Sequence, residues 1–486
     1  MAAAAAAGLA PRHQLDVQAQ QAIPVTGMTT GINNQTGERP ARWEVNVLQA
    51  EGRPQWYSHY LETQFVAWHR LYVALYEQVL GAEVQRIASE YSGHQNASTY
   101  WEAGQVFRQP YWDWASNPKL PPSCTQKNIT KYPLNQNQFP GYQNFSAETT
   151  RASNGASDFS PDVVNANLAL VADELRDLVY RTFTYAKTFD QMSSMADPAG
   201  VSFEASHNII HNAVGGSFAI VDITAFDPLF VLHHANLDRL AALWMAVHSN
   251  ATYQSQSYLS NGLYATARGD NITAQSPLKP FYRADGRTFH TGLSAATLEP
   301  FGYTYPELRG WNQLGGKNRE QGKKAVISRI NDHYGPAADD DNGGMGLFRE
   351  EWFVQVTVNR SELELPCNID VYVGEAFSGR VALLGMPMHG LAHAKIPLQR
   401  TVRGLGSNIT TDRAAVQRTL LDRLRVEIQK VSGGGPTIEA RDIASLELEL
   451  IATDVTYRSS RSEFPKHGKR SVYTKVVLDQ VFKNGG

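Results

Sequence analysis

One segment, from Phe226 to Trp244, constrains the fold most, because it combines a strongly apolar helical pattern with two adjacent histidines. Asp227 is suited to cap a helix N-terminus, and Pro228 to occupy the first helical position, where its missing N–H costs nothing. The apolar residues that follow recur at helical spacing and predict a buried helix. Burying the imidazoles of His233 and His234 is costly unless a hydrogen bond or a metal ion satisfies each of them.

His207 and His211 form a second pair, and their i, i+4 spacing places both side chains on one face of a helix. Such a pair can bind one metal ion, and His234 can complete a three-imidazole site that suits copper, zinc, iron or nickel. Zinc proteases need a glutamate directly after the first histidine, where this chain has Asn208. The pattern therefore argues against metal-assisted peptide hydrolysis.

A third segment opens with His59 and carries His69 further on. Apolar residues beginning at Phe65 recur at helical spacing and predict a helix from about Thr63 to Tyr91. Histidine clusters on two amphipathic segments are typical of a helix bundle that holds a metal pair in its core. We therefore predict a mainly α fold in which a four-helix bundle forms a two-metal core domain.

Together these segments resemble the two copper-binding signatures of the tyrosinase family, in the expected order. The matching segments are His59–Glu77, Pro110–Trp114, His207–His211, Asp227–Asp238 and Gly302–Pro306. The resemblance covers roughly residues 42–307. The stretch from Glu350 onward is more weakly similar to the C-terminal domain of fungal tyrosinases.

The resemblance implies two copper ions and the oxidation of phenols by dioxygen. Monophenols would be hydroxylated, and o-diphenols would be oxidised to o-quinones that polymerise to melanin-type pigment. By position, copper A would be bound by His59 and His69, and copper B by His207, His211 and His234. His233 would be a structural neighbour rather than a ligand, and Phe65 would pack against the copper B histidines.

The resemblance also implies a role for two polar residues around the first copper B histidine, Glu204 and Asn208. They would hold a water that removes the proton of the phenol. A phenol has a pKa of about 10 and is mostly neutral at pH 7, so a base is needed to give the phenolate. The alternative is an exposed glutamate and an asparagine on a helix surface.

The copper A set is incomplete by comparison with the family, which has a further histidine upstream of the position of His59. This chain has no histidine between His13 and His59, and neither His13 nor His94 is expected to replace it. No cysteine lies near His59, so the thioether bridge of many fungal members is not expected. Three alternatives stay open: a catechol or o-aminophenol oxidase without monophenol hydroxylation, a haemocyanin-like dioxygen binder, and an inactive single-copper protein.

Beyond residue 335 the pattern changes from helical spacing to strand alternation. An acidic, glycine-rich stretch around Asp339–Gly346 predicts a cleavable linker. Alternating segments at 352–358, 369–373, 426–431 and 446–453 predict a β-sandwich-like domain. We therefore divide the chain into a flexible leader (1–40), a copper-binding core domain (41–334), the linker (335–348) and a β-rich shielding domain (349–486). The intact enzyme would be latent.

The β-rich region also contains two methionines and two histidines in one short stretch, Met386, Met388, His389 and His393. Fungal relatives carry a Cys-x-x-Cys copper-delivery motif in the corresponding region. Because thioether and imidazole ligands suit copper, one hypothesis is that these four residues deliver it. The alternative is a loop with buried methionines.

The composition and net charge of the chain limit the kinds of binding partner that we expect. With a formal net charge of −3, neither nucleic acid nor an acidic membrane surface is expected, and no apolar run is long enough to span a bilayer. The expected partners are phenolic small molecules and dioxygen, with homo-oligomerisation left open. Cys124 and Cys367 allow at most one disulfide. The N-terminus lacks the basic n-region of a secretory signal, and the family resemblance implies a cytoplasmic enzyme. Asn-x-Ser/Thr sites leave secretion as the alternative.

Overall fold

The computed structural model describes residues 10–11, 58–125, 128–130, 148–150, 159–263, 266–285, 287–309, 311, 316–336, 350–405, 412–431 and 438–473. Outside these ranges lie most of the predicted leader, the start of the predicted core domain at 41–57, and residues 337–348 of the predicted linker. The domain boundaries therefore stay a prediction.

The described residues up to 336 are mainly helical. Their α-helices are α1 (Phe65–Glu90), α2 (Ala97–Gln105), α3 (Pro161–Tyr185), α4 (Phe189–Ser193), α5 (Phe203–Val214), α6 (Pro228–Val247) and α7 (Gly316–Tyr334). The helices expected around His69 and His234 are confirmed as α1 and α6. Asp227 caps α6 as predicted, because its side chain accepts a hydrogen bond from the N–H of Leu229 at 3.0 Å.

Short strands lie between the helices. They are β1 (Ala10–Pro11), β2 (Asn128–Thr130), β3 (Glu148–Thr150), β4 (Tyr258–Leu259), β5 (Asn271–Ile272), β6 (Pro277–Tyr282), β7 (Phe289–Thr291) and β8 (Tyr303–Thr304). Antiparallel pairs join β2 to β3, β4 to β5 and β6 to β7, and β1 pairs with β8 in parallel.

Helix α6 lies at the centre of the helical region. It packs against α1, α5 and α7, and α5 packs against α3. Almost every residue of α6 is buried, including Leu240 and Trp244. A helix that is apolar on all sides must be enclosed by other elements. That enclosure places His233 and His234 in the middle of the core.

The described residues from 350 onward form two antiparallel sheets and two short helices. These elements are β9 (Glu350–Asn359), β10 (Cys367–Val373), β11 (Ala376–Leu383), β12 (Leu391–Pro397), α8 (Gln399–Arg403), α9 (Arg413–Arg423), β13 (Leu424–Lys430), β14 (Glu447–Thr456) and β15 (Lys466–Tyr473). The strand orders are β11-β10-β13 and β12-β9-β14-β15. Buried side chains of both sheets share one apolar cluster. The four predicted strands are confirmed as β9, β10, β13 and β14.

The β-rich region packs directly against the helical region. β11 contacts α3 and α5. Asn212 of α5 donates through Nδ2 to Oδ1 of Asn368 on β10 at 2.8 Å. On β12, the N–H of His393 donates to the carbonyl oxygen of Met195 at 2.8 Å. The C-terminal sheets therefore contact both the helix that carries the i, i+4 histidine pair and the segment that precedes it.

Two further observations concern the cysteines and the length and polarity of the helices. Cys124 and Cys367 are both buried, and both are free thiols. In the described ranges, every helix is too short or too polar to cross a membrane.

Candidate metal centre

Three histidine side chains from α5 and α6 converge at the centre of the helical region. Nε2 of His207 lies 3.0 Å from Nε2 of His211 and 3.2 Å from Nε2 of His234. His233 lies in the same cluster, and the ligand atoms of the four histidines are all within 4.8 Å of one another. The four rings are at most 1% exposed. The sequence therefore predicted the meeting of the two histidine pairs, although it set His233 aside.

Hydrogen bonds on the outer side of the rings fix which nitrogen carries the proton. Nδ1 of His207 donates to Oδ1 of Asn208 at 2.8 Å, and Nδ1 of His211 donates to the carbonyl oxygen of Phe218 at 2.7 Å. Since these oxygens only accept, both imidazoles direct an unprotonated Nε2 into the cluster. The Nε2 lone pairs of His207 and His211 face each other at 3.0 Å and cannot bond to each other, and a bound cation would satisfy both.

Burial keeps these imidazoles neutral. It lowers the pKa of His211 to about 4, against the opposing effect of the Phe218 carbonyl. It also lowers the pKa of His207, His233 and His234 well below the ordinary value for histidine. Neutral imidazole is the form that binds metal ions. A donor set made of imidazoles suits copper or zinc rather than magnesium or calcium.

His69 of α1 reaches the same centre from a third helix. Its ring stacks on that of His234 with the centroids 4.2 Å apart. Its Nδ1 donates to the carbonyl oxygen of Phe65 at 2.8 Å, while its buried Nε2 has no hydrogen-bond partner among the described residues. Burial lowers the pKa of His69 to about 3. An orphaned, neutral and buried imidazole nitrogen fits the predicted role of a metal ligand.

His59 lies before α1 and has a different environment. It is buried, and its Nδ1 lies 2.7 Å from Oε2 of Glu62. Its ring centroid is 6.4 Å from that of Trp68. The Trp68 ring in turn lies 4.9 Å from that of His69. The assignment of His59 to copper A stays a prediction.

No replacement for the missing copper A histidine is found in the part of the chain that the structure describes. His94 is exposed beyond the end of α1, where its Nδ1 accepts from the N–H of Asn96 at 3.2 Å. His13 lies outside the described residues. The expectation that His94 is not a ligand agrees with its exposed position.

Glu204 is a buried carboxylate whose oxygens already have protein partners. Oε1 accepts from the N–H of Leu61 at 2.6 Å. Oε2 accepts from the N–H of Met195 at 2.8 Å and from Oγ of Ser194 at 3.0 Å. Burial raises the pKa of Glu204 to about 7, although these hydrogen bonds lower it. Asn208 also contacts Met195, donating through Nδ2 to Sδ at 3.3 Å.

Those contacts place Glu204 and Asn208 beside the cluster and show what holds them there. Among the described contacts, no hydrogen bond joins the side chain of Glu204 to that of Asn208. Their shared role in holding a water therefore stays a prediction.

Two aromatic rings pack on the histidines beside α1. The ring centroid of Phe65 lies 4.7 Å from that of His69 and 4.9 Å from that of His207, which confirms its expected packing. The Tyr60 centroid lies 5.5 Å from that of His69 and 5.9 Å from that of His207. Sequence reasoning missed Tyr60, whose only signal is its position next to His59.

The remaining sequence motifs hold α6 in place. Asp238 of α6 accepts hydrogen bonds from the hydroxyls of Tyr303 and Tyr305. The same carboxylate forms a buried ion pair with Arg70 of α1. Asp113, in the Pro110–Trp114 motif, pairs with the arginine that follows Asp238 at 3.3 Å. These motifs therefore orient the helix that carries His234.

The four residues of the copper-delivery hypothesis have different surroundings. Met386 packs against the helical core, whereas Met388 is 56% exposed and His389 is exposed. His393 lies on β12, with its Nδ1 2.9 Å from Oγ1 of Thr357. The alternative, a loop with buried methionines, holds for Met386 only, because Met388 is exposed.

A helical core in which buried imidazoles converge, followed by antiparallel sheets, defines a histidine-ligated metalloprotein. Residues 30–247 match the family profile described as the common central domain of tyrosinase. This part of the chain therefore carries the tyrosinase family's central domain, as the sequence motifs predicted. The family binds a pair of copper ions, and the histidine cluster is consistent with such a centre.

Individual relatives support this placement. Polyphenol oxidase 4 of Agaricus bisporus is 27% identical over 356 residues, which cover 63% of this chain and 57% of the relative. A tyrosinase of Neurospora crassa is 32% identical over 303 residues, which cover 55% of this chain and 44% of the relative. The chain thus spans about half the length of these curated relatives.

The fold is similar to that of a solved structure of latent and active mushroom tyrosinase. The TM-score is 0.74 at 18% sequence identity, and the alignment covers 97% of both chains. The similarity extends over the helical core and the C-terminal sheets, so both parts belong to one known fold.

Proposed function

We propose that the chain is a copper-dependent oxidase that converts o-diphenols to o-quinones and hydroxylates monophenols, with melanin-type pigment as the end product. The observation that supports this most directly is the buried convergence of three Nε2 atoms, those of His207, His211 and His234, at 3.0 and 3.2 Å. These three would bind copper B, and His59 and His69 would bind copper A. Bound copper would supply the redox chemistry with dioxygen.

The chain's own groups would orient the ligands and handle the proton of the phenol. The carbonyl of Phe218 and the amide oxygen of Asn208 hold two ligands with Nε2 unprotonated. Glu204, whose pKa is raised to about 7 by burial, is the carboxylate available to receive a proton near neutral pH. The packed rings of Phe65 and Tyr60 would exclude water from one side of the centre.

Oxygen uptake by the copper-loaded protein tests the proposal. A catechol and the matching monophenol should both drive uptake, and His207→Ala should abolish it. His248→Ala is the matched control, because His248 lies beyond the end of α6 and bonds to the carbonyl of Phe183 instead. Uptake that survives His207→Ala would contradict the proposal. Two bound coppers without oxidation of any phenol would favour a haemocyanin-like dioxygen binder, and one bound copper an inactive protein.

A catechol oxidase without monophenol hydroxylation is the second candidate. It is favoured by one observation: both oxygens of Glu204 already accept hydrogen bonds from Leu61, Met195 and Ser194. Oxygens that are already held by such donors are less accessible to the proton of a phenol. Uptake with the catechol but not with the monophenol would identify this activity.

We also propose that the intact chain is latent and that the β-rich region shields the centre. This is supported by the contact of β10 and β11 with α5 and by the packing of Met386 against the helical core. Limited proteolysis near Asp339–Gly346 should therefore raise the oxidation rate several-fold. Activity of the clipped protein equal to that of the intact protein would show that the region does not shield the site.

The proposal also covers the architecture, the cellular location and the oligomeric state of the protein. The helices α1, α3, α5 and α6 would act as a four-helix bundle around the centre, and the two C-terminal sheets as a sandwich. The protein would act in the cytoplasm on phenolic small molecules and dioxygen, and its oligomeric state would be established by light scattering. Glycans on its Asn-x-Ser/Thr sites would instead indicate secretion.

A further inference from the structure

Glu62 is a fully buried carboxylate surrounded by hydrogen-bond donors. Its Oε2 lies 2.7 Å from Nδ1 of His59 and accepts from the hydroxyl of Tyr258 at 3.0 Å. Its Oε1 accepts from Oγ of Ser260 at 2.8 Å and from the N–H of Asn261 at 3.1 Å. A carboxylate that only accepts matches such a set, and it leaves the proton between the two side chains on Nδ1 of His59.

We propose that Glu62 is the positioning residue for His59, which it holds with Nδ1 protonated and Nε2 free to bind copper A. The inference rests on the proposed copper function. It matters for this chain in particular, because His59 is one of two copper A histidines in the described residues and has no neighbouring cysteine to tether it. The carboxylate of Glu62 holds His59 instead, and it is bound in turn by Tyr258 of β4 and by Ser260 and Asn261.

Replacing this carboxylate by an amide has a defined chemical consequence. The N–H of Asn261 is fixed by the backbone, so the amide oxygen of Glu62→Gln must face it. The amide NH₂ then faces Nδ1 of His59, which has to accept, and the imidazole proton moves to Nε2. The ring is left in the tautomer whose Nε2 cannot bind copper without losing its proton, a wrong-tautomer effect like that of changing a catalytic triad's aspartate to asparagine.

The test is copper binding by the full chain rather than activity alone. Copper per chain is measured by elemental analysis, and affinity by competition with a chelator. In Glu62→Gln one of two coppers should bind about 10–100-fold more weakly, the usual effect of losing such a partner. Glu174→Gln is the matched control, since Glu174 is an equally buried carboxylate on α3. In a His59→Ala background, adding Glu62→Gln should not weaken copper binding any further.

The outcomes separate this inference from the proposed function. A wild-type chain that binds no copper contradicts both. A wild-type chain that binds two coppers, with Glu62→Gln no weaker than Glu174→Gln, overturns the inference alone. If Glu62→Gln does not fold, Glu62→Asp replaces it, because its shorter carboxylate cannot reach His59 and Asn261 together. A loss of affinity that persists in the His59→Ala background would overturn the inference as well.

Discussion

At the scale of single residues, Asn208 contacts two groups beside the metal centre. Its Oδ1 fixes His207, and its Nδ2 donates to Met195 Sδ. In Asn208→Ala the His207 ring loses the acceptor that sets its tautomer, so one copper should bind about 10–100-fold more weakly. Chelator competition measures this. Asn208→Asp keeps an acceptor and should retain most of the affinity, and equal losses in the two variants would contradict the assignment.

The ligands and their supports differ in how far sequence predicts them. His207 and His211 follow from helical spacing alone, because the backbone geometry that brings them together is local. Glu62 lies only three residues after His59, but three of its donors lie almost two hundred residues further along the chain. Such a partnership depends on how the chain returns to the same place, which local patterns do not encode.

At the scale of secondary-structure elements, Asp238 connects α6 to two other parts of the core. It accepts from Tyr303 and Tyr305 and pairs with Arg70, all of them buried. Asp238→Asn would leave a buried guanidinium without its counter-charge, and should lower the free energy of unfolding by about 3–5 kcal/mol. Urea denaturation followed by helical circular dichroism measures the change.

Tyr305→Phe is the control for this network. It removes one hydroxyl donor and keeps the ion pair between Asp238 and Arg70, so the loss should be about 1.5–3 kcal/mol, as for other hydrogen bonds to charged groups. A larger effect of Tyr305→Phe than of Asp238→Asn would show that the ion pair does not stabilise α6.

The elements that sequence predicts are those with a regular pattern along their whole length. α6 shows helical spacing and a capping residue, and β9 alternates from Val354 to Val358. The patterns of β11, β12 and β15 are weaker. β11 contains Gly379 and Arg380, β12 contains His393 and Lys395, and β15 is a largely exposed edge strand with few apolar residues. Their pairing comes from neighbouring strands rather than from their own sequence.

At the scale of the whole molecule, Glu174 links stability to pH. It lies on α3, is 1% exposed, and accepts a hydrogen bond from the N–H of Arg380 on β11. Burial raises its pKa from 4.5 to about 8, although Arg380 lowers it. The folded chain therefore keeps this proton at pH values where the unfolded chain has lost it. Its contribution is complete below pH 4.5 and is lost as the pH rises through about 8.

The intact chain should therefore lose stability between pH 5 and 8, by at most about 1.4 kcal/mol per pH unit from this group. The midpoint of thermal unfolding, measured across this range, follows the change. Glu174→Gln stays neutral at every pH and should flatten the slope. An unchanged slope in the variant would assign the pH dependence to other groups, such as Glu204, whose pKa burial also raises.

Met195 lies where the C-terminal sheets meet the helical region, and it contacts both. Its carbonyl accepts from β12, its N–H donates to Glu204, and its sulfur accepts from Asn208. One residue therefore connects the C-terminal sheets to both groups proposed to handle the substrate proton. If the sheets were cleaved off and dissociated, the contacts that hold Glu204 and Asn208 would change, and so would the access of substrate to them. The clipped protein would then be a different catalyst, with its own pH profile and its own ratio of monophenol to catechol turnover, rather than the same catalyst uncovered.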